Sequence, residues 1–319
     1  MPTRALITGA GGQDGSYLAE RLLADGVEVH ALALPGEPAR DGVRTHPGDV
    51  ADVDGTRALV LDLAPDEVYN LAAVSSVARS WEEPELTARV NGLAALGLLE
   101  SAHQVQEREG RLVRFVQASS AEIFGLPDRS PQDEDTPVRP VNPYGAAKAF
   151  AHHSVGVYRR RGLHATSLVL YNHESPRRAE QFVTRKITAG VAAIAAGRAT
   201  TVTLGNLAAA RDWGWAPDFV DAMVRAARAE VPRDYVVATG RSHTVEDFVA
   251  AAFRCVGVED WSSYVGVDPA LLRPVDAQAL TGDPSLIRAE LGWEPTVGFE
   301  EVVRRMVAAD VARLAGGSP

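Results

Sequence analysis

The sequence predicts an α/β protein, a Rossmann-type doubly wound parallel sheet with a smaller, interleaved C-terminal α/β substrate-binding lobe. Three observations predict it. The chain opens on a short apolar run, Arg4–Thr8, that breaks into glycines at Gly9, Gly12 and Gly15. Residues 16–25 then carry apolar side chains at helical spacing. Apolar runs and helical stretches alternate from there to residue 171, the rhythm of parallel strands joined by helices.

Each element has its own justification. Glycine lets a backbone approach a pyrophosphate closely, and the helix N-terminus beyond it offers unpaired N–H groups and a positive dipole end. Gly9, Gly12 and Gly15, with Gln13 and Asp14 between them, are therefore candidate dinucleotide-binding residues, since they sit at the first strand-to-helix junction. Glu28–Ala33 reads as the second strand. An acid at its end would grip an adenosine ribose, and an Arg would take a 2′-phosphate. Leu34-Pro35-Gly36 stands there instead, with Glu37, Arg40 and Arg44 able to reach back, so NAD and NADP both remain open. Residues 46–50 read as a strand end, with Asp49 placed to hydrogen-bond adenine beside Val50. A helix is expected over about 52–63. Residues 67–73 read as a buried strand whose end, Leu71-Ala72-Ala73, lets a backbone run beneath a cofactor, with Ser75 just beyond.

A long helix is expected over about 85–107 and a strand over 112–118. That strand delivers Ser119, Ser120, Ala121 and Glu122 at its carboxyl end, where ligands bind in open α/β sheets. Residues 125–142 hold four prolines and an acidic cluster and read as an ordered loop or lid. Pro143 suits a helix start, and Tyr144 and Lys148 then share one helix face. Residues 164–171 form another strand. Beyond it the rhythm loosens. Residues 211–215 read as a polar, aromatic loop, followed by a helix at 216–229, a strand at 234–238, a helix at 245–256 and two closing helices, the last over about 299–314. Residues 1–171 are expected to bind NAD(P) and carry the catalytic groups. Residues 172–319 are expected mainly to bind substrate, interleaved with the first part.

Composition narrows the function. The 319 residues are 46% hydrophobic and 23% charged, as in a soluble globular protein. No apolar run reaches about 18 residues, so no membrane span is expected. The chain enters a strand pattern at once, which leaves no room for a signal peptide. The lone Cys255 excludes an internal disulfide and fits a reducing cytoplasm. A net charge of -10 argues against nucleic acid as a partner. His173 has no companions at ligand spacing, so no metal site is expected. The 32 basic residues comprise 30 Arg and only Lys148 and Lys186. A chain that uses Arg for almost every cation keeps Lys where a compact charge with a movable pKa is needed.

Tyr-x-x-x-Lys arises often by chance, but here it follows a dinucleotide turn and a Ser-Ser at a strand end. Oxidising an alcohol by hydride transfer requires removal of the hydroxyl proton, and a free phenol does this poorly near neutral pH. A nearby ammonium and a nicotinamide cation would lower the Tyr144 pKa. Lys148 would also hold the cofactor ribose, and Ser120 would hydrogen-bond the reacting oxygen. Glu122 discriminates further. Plain dehydrogenation has no use for a carboxylate there, whereas a C–H beside a new ketone is acidic and a carboxylate can remove it. Lys186, Arg178, Arg185 and Arg211 offer cations for a nucleoside diphosphate.

These residues carry a family resemblance. Gly11-Gly12-Gln13-Asp14-Gly15, Asn172-His173-Glu174-Ser175-Pro176-Arg177-Arg178, Phe182-Val183-Thr184-Arg185-Lys186 and Leu204-Gly205-Asn206-Leu207, through Arg211-Asp212-Trp213-Gly214, resemble the GDP-mannose 4,6-dehydratases, extended short-chain dehydrogenase/reductases. The likeness continues through Arg273-Pro274 and Gly282-Asp283-Pro284 to Leu291-Gly292-Trp293. It implies that Ser120 stands for a catalytic Thr, that Glu122, Tyr144 and Lys148 are catalytic, and that His173 and Arg178 contact cofactor. It implies substrate contacts from Asn172, Lys186, Arg211 and Arg273. It implies oxidation of GDP-mannose at C4, loss of water across C5 and C6, and hydride return to C6 through a bound NADP, with NAD not excluded. Three departures stand out. Ala121 replaces a Ser, so the departing C6 oxygen must take its proton from Glu122 or from water. Leu34 and Pro35 replace paired Arg. The loop between Leu34 and Asp49 is shorter by roughly twenty residues. That loop contacts NADP and a neighbouring subunit in the family, so a homodimer through the helices near 85–107 and 143–160 is expected rather than a tetramer. A 4-keto sugar-nucleotide reductase or epimerase on the same scaffold is the alternative; an inactive dinucleotide-binding regulator is an alternative of another class.

Overall fold

The computed structural model describes residues 3–37, 40–272, 275 and 279–316. The first half reads β1 (Arg4–Thr8), α1 (Gln13–Ala24), β2 (Glu28–Ala33), β3 (Arg44–Pro47), α2 (Val53–Leu63), β4 (Glu67–Asn70), α3 (Val77–Glu82), α4 (Pro84–Ala88), α5 (Ala94–Glu109), β5 (Arg114–Ala118), α6 (Pro143–Arg160) and β6 (His164–Leu170). The rest reads β7 (Asn172–Glu174), α7 (Val183–Ala195), β8 (Val202–Leu204), β9 (Ala210–Trp215), α8 (Ala216–Ala227), β10 (Tyr235–Val237), β11 (Ser242–Thr244), α9 (Val245–Arg254), β12 (Val265–Val267), β13 (Ala279–Leu280), α10 (Ser285–Leu291) and α11 (Phe299–Leu314).

Among the described residues seven strands form the main sheet, in the order β10-β6-β5-β4-β1-β2-β3, every pairing parallel. The order reverses between β1 and β4, and a crevice opens at the carboxyl ends of strands at such a reversal. Side chains alternate across the sheet with the strand period of two. Ile7, Val29, Ala31, Tyr69 and Val116 face α1 and α8. Leu6, Leu32, Val68, Phe115 and Ala165 face α2, α5 and α6. Both faces are therefore covered, as a parallel sheet requires. A third core joins α7, α9 and α11 around Trp213 of β9. β10 comes from the later part of the chain yet closes the main sheet beside β6, so the two parts interleave.

Three sequence expectations are corrected. The strand expected over 67–73 ends at Asn70, and residues 71–76 run on as irregular backbone. The helix expected over 85–107 is interrupted by a π-helical turn, Arg89–Leu93. Buried Asn91 lies in that turn, accepts from Val74 N at 2.8 Å and donates to Val74 O at 3.0 Å; the extra residue in the turn accompanies this contact with the segment beneath. Residues 211–215 are not a loop but part of β9. Asp212 there is fully buried and accepts from Thr239 N, Thr239 Oγ1, Gly240 N and Gly282 N, so a polar residue sits in a strand without an unmet oxygen.

Candidate active site

β5 runs out at Ala118, and the chain turns through a single 3₁₀ turn, Ala121–Ile123. Ser120 caps that turn, its Oγ accepting from Glu122 N at 3.2 Å. Asn142 caps α6, its Oδ1 accepting from Gly145 N at 2.7 Å, and Pro143 occupies the first turn. These two local stops aim Ser120, Glu122, Tyr144 and Lys148 into one cleft of about 430 Å³. The Ser120 hydroxyl faces the Tyr144 phenol closely enough to favour its ionised form. Glu122 Oε2 accepts from Asn142 Nδ2 at 2.8 Å. Lys148 is 3% exposed, donates from Nζ to Ala118 O at 2.7 Å and lies 5.9 Å from the centre of the Tyr144 ring.

Burial pushes Tyr144 up to about 12, with the Ser120 hydroxyl opposing and the Glu122 charge reinforcing. Burial pulls Lys148 down to about 8, with Asp14 opposing. In the chain by itself Tyr144 is therefore not lowered; the expected lowering by Lys148 together with a nicotinamide cation concerns the loaded site. Desolvation of a phenolate outweighs what the protein's own groups return.

The other side of the cleft meets the glycine turn. A Cβ on Gly9 would come within 2.8 Å of Ala72 N, and one on Gly15 within 2.2 Å of Gly9 O, so both positions need glycine for close backbone approach. α1 starts at Gly12 without any side-chain cap, which leaves its first N–H groups open to an anion. Buried Ser119 Oγ also faces the cleft region without a partner, and only one of the three Lys148 ammonium donors is used. This donor set fits a phosphate- and ribose-bearing cofactor. Asp14, Leu71, Ala73, Ser75, His173 and Arg178 line the same cleft. His173 stacks on Phe219 and places its ring nitrogens against Tyr171 O at 2.7 Å and Asp14 Oδ2 at 2.8 Å. Burial pulls His173 down, but Asp14 outweighs it and the imidazole is raised. Both ring nitrogens face acceptors, which favours the protonated form.

Several candidates lie elsewhere. Gln13 spends its amide within the protein, donating to His173 O at 3.0 Å and accepting from Ser175 Oγ at 2.8 Å. Asp49 accepts from Ala51 N at 2.8 Å at the end of β3, and neither it nor Val50 is on the cleft wall. Glu37 folds over the glycine turn, its Oε2 2.8 Å from where a Gly11 Cβ would stand, and Arg40 lines the same small recess. Arg44 instead pairs with Glu28.

On the substrate side, Asn172, Lys186 and Arg211 line the cleft from β7, α7 and β9. Arg178 pairs with Glu174 at 3.3 Å and lies over the Phe182 ring. Arg185 is a correction. It is 4% exposed and paired with buried Asp310 at 2.6 Å, tying α7 to α11, and is not on the cleft wall. Arg273 lies outside the described residues. The sequence reading placed Ser119 at the strand end without giving it a role and did not single out Asn142; a cap at 142 was readable from the Asn-Pro helix start, its bond to Glu122 was not. Among the described residues no group of three or more His, Cys, Asp or Glu could hold a metal ion, and no helix is long and apolar enough to cross a membrane.

A family model described as GDP-mannose 4,6 dehydratase matches residues 6–306. GDP-mannose 4,6 dehydratase 1 of Arabidopsis thaliana is 44% identical, over 96% of this chain and 89% of that protein. GDP-mannose 4,6-dehydratase of Vibrio cholerae serotype O1 is 39% identical, over 96% and 93%. Among solved structures, the UDP-glucose 4-epimerase of Thermus thermophilus, in complex with NAD, superimposes with a TM-score of 0.84 at 31% identity, over 97% of this chain and 99% of that one.

Proposed function

The chain belongs to the GDP-mannose 4,6-dehydratase family, and we propose that it converts GDP-mannose to GDP-4-keto-6-deoxymannose with no net oxidation. The observation that carries this reading is the Glu122 carboxylate in the same cleft as Ser120, Tyr144 and Lys148. A nicotinamide dinucleotide, NADP by family with NAD not excluded, would supply the hydride acceptor for C4 and the hydride donor for C6 when bound. The glycine turn and the open start of α1 would hold its pyrophosphate, Lys148 its ribose, and Asp14, Leu71, Ala73, Ser75, His173 and Arg178 the remaining contacts.

The chain's own groups move the protons. Tyr144 accepts the C4 hydroxyl proton, and Ser120 holds that oxygen by hydrogen bonding. Lys148, charged and buried, favours the phenolate electrostatically. Glu122 removes the C5 proton once the C4 ketone has made it acidic. The C6 hydroxyl leaves as water, taking a proton from Glu122 or from solvent, because the Ala121 side chain has none to give. Asn172, Lys186 and Arg211 bind the nucleotide-sugar, the two cations suiting its diphosphate. We place this reaction in the cytoplasm.

Incubation of the purified protein with GDP-mannose and no added reductant tests the reading. The product should lose the mass of one water with no net change in reduced dinucleotide. Unchanged substrate would sink it, and conversion of a keto sugar only with added reductant would assign a reductase.

We also propose a homodimer. Ala146, Phe150 and Val157 are exposed along one stripe of α6, beside exposed Leu93. Phe150 Cδ1 lies 3.3 Å from where a Gly92 Cβ would stand, so the two helices present one apolar face. Phe150→Glu should yield monomers by light scattering; an unchanged mass would remove this face as the interface.

A further inference from the structure

Asn142 stands at the junction of two jobs. Its Oδ1 accepts from Gly145 N at 2.7 Å and so caps α6. Its Nδ2 donates to Glu122 Oε2 at 2.8 Å. The side chain is 6% exposed and its backbone is extended, so neither contact is a solvent-exposed accident of rotamer. One amide therefore couples the helix start that carries Tyr144 and Lys148 to the carboxylate on the 3₁₀ turn after β5. Hydrophobic packing alone does not orient a carboxylate about its own axis. A hydrogen bond to one named oxygen does, because it fixes the plane of the group.

We infer that Asn142 is a positioning residue that fixes the Glu122 carboxylate for proton removal at C5. The inference rests on the reading of Glu122 as the base. The reaction asks two groups to take protons at neighbouring carbons of one ring, Tyr144 at C4 and Glu122 at C5. Their separation must hold through both steps, and a misplacement of about 1 Å can cost on the order of a hundredfold in rate. Asn142 is two residues before Tyr144 and bonded to Glu122, so it sets that separation directly. The amide is also the suitable chemistry. It offers a donor to a carboxylate and an acceptor to a helix N–H at once, and stays neutral at every working pH.

Two variants keep the cap and change the contact. Asn142→Ser caps a helix as well as Asn does but has no reach to Glu122. Asn142→Asp caps too, yet sets a second carboxylate against the first. The other titratable or charged groups lining this cleft are Tyr144 and Lys148 on α6, Asp14 on α1, His173 and Glu174 on β7, Arg178 after it, Lys186 on α7 and Arg211 on β9, and neither variant alters them. The expected result for Asn142→Ser is an unchanged Tm, an unchanged KM, a roughly ten- to hundredfold lower kcat and a larger kinetic isotope effect with C5-deuterated GDP-mannose. For Asn142→Asp the acid limb of the kcat profile should move up by about one pH unit, because neighbouring carboxylates resist joint ionisation. Unchanged kcat, isotope effect and pH profile in both variants would overturn the inference and leave Asn142 a cap only. Absence of any GDP-mannose dehydration by the parent chain would overturn the dehydratase reading and this inference with it.

Discussion

The wall of the cleft built from β5 and α6 and the wall built from β7, α7 and β9 hold their polar groups differently. On the first, Ser120, Glu122, Tyr144 and Lys148 all come from residues 119–148, and each is tied to a near neighbour. On the second, Asn172, Lys186 and Arg211 come from three separate elements that meet only through the topology. Proton transfer needs hydrogen-bond-range geometry, and short local segments with caps supply it. Recognition of a diphosphate by charge tolerates looser placement, so its cations can be gathered from distant parts of the chain.

The comparison breaks most easily at Glu122. Glu122→Gln keeps the side chain's size and loses the base. Dehydration should fall by about 10²- to 10⁴-fold, the usual worth of a general base. Solvent deuterium should stop entering C5, as mass spectrometry of recovered product would register. Turnover at the parent rate would mean that the first wall does not work as described. Arg185 sharpens the contrast from the other side. Removing it takes one of two cations from buried Asp310 and leaves Arg313 at 2.6 Å and the Thr188 hydroxyl as its partners, so the cost should fall below the roughly 3–5 kcal/mol of a fully stranded buried charge. Arg185→Ala should therefore lower the denaturant midpoint and leave KM for the folded enzyme unchanged; a raised KM at parental stability would return Arg185 to the substrate site.

Lys148 joins stability to function on the first wall. Burial lowers it from 10.5 to about 8. The native state therefore gives up this proton before the unfolded chain does. Between about pH 8 and pH 10.5 the unfolded chain binds more protons, so this contribution to stability rises with pH across that window, and below it the cost of burying the charge is fully present. Lys148→Met has no such cost. In the protein without ligand it should be more stable than the parent by on the order of 3 kcal/mol at pH 7, and the gap should close toward pH 10.5. Parallel stability curves for the two proteins would show that the ammonium carries no burial cost.

What the sequence disclosed follows the same division. The glycine turn, the strand-end Ser-Glu segment and the Tyr-x-x-x-Lys helix are local patterns with fixed spacing, and the structure brings the last two to one cleft, with Asp14 from the turn on its wall. The closing helix at 299–314 falls where periodicity puts it. Other features depend on partners distant in sequence. Residues 211–215 look like a loop because they are polar, until Asp212 meets the backbone amides of residues 239, 240 and 282. Arg185 and Lys186 both read as cations for a diphosphate. On α7 they point in different directions, one to Asp310 and one to the cleft, and only the position of α11 decides which is which. Asn142 was readable as a cap, but its second partner required the 3₁₀ turn to place Glu122 beside it.

The smallest expected effect falls on Lys186, and it tests whether the second wall acts by charge alone. A charge-assisted contact to a phosphate is worth about 1.5–3 kcal/mol, so Lys186→Ala should raise KM for GDP-mannose by roughly ten- to a hundredfold. If the diphosphate is held equally in ground state and transition state, kcat should stay within about twofold. The Lys186→Arg variant refines the test. A compact ammonium can be replaced by a guanidinium where only charge matters, but not where the site admits a single point donor. Recovery of KM by Lys186→Arg would mark the second wall as a loosely set cation cluster. A fall in kcat in either variant would mean that diphosphate binding helps drive the chemistry at C4 and C5, and that the two walls are coupled more tightly than their construction suggests.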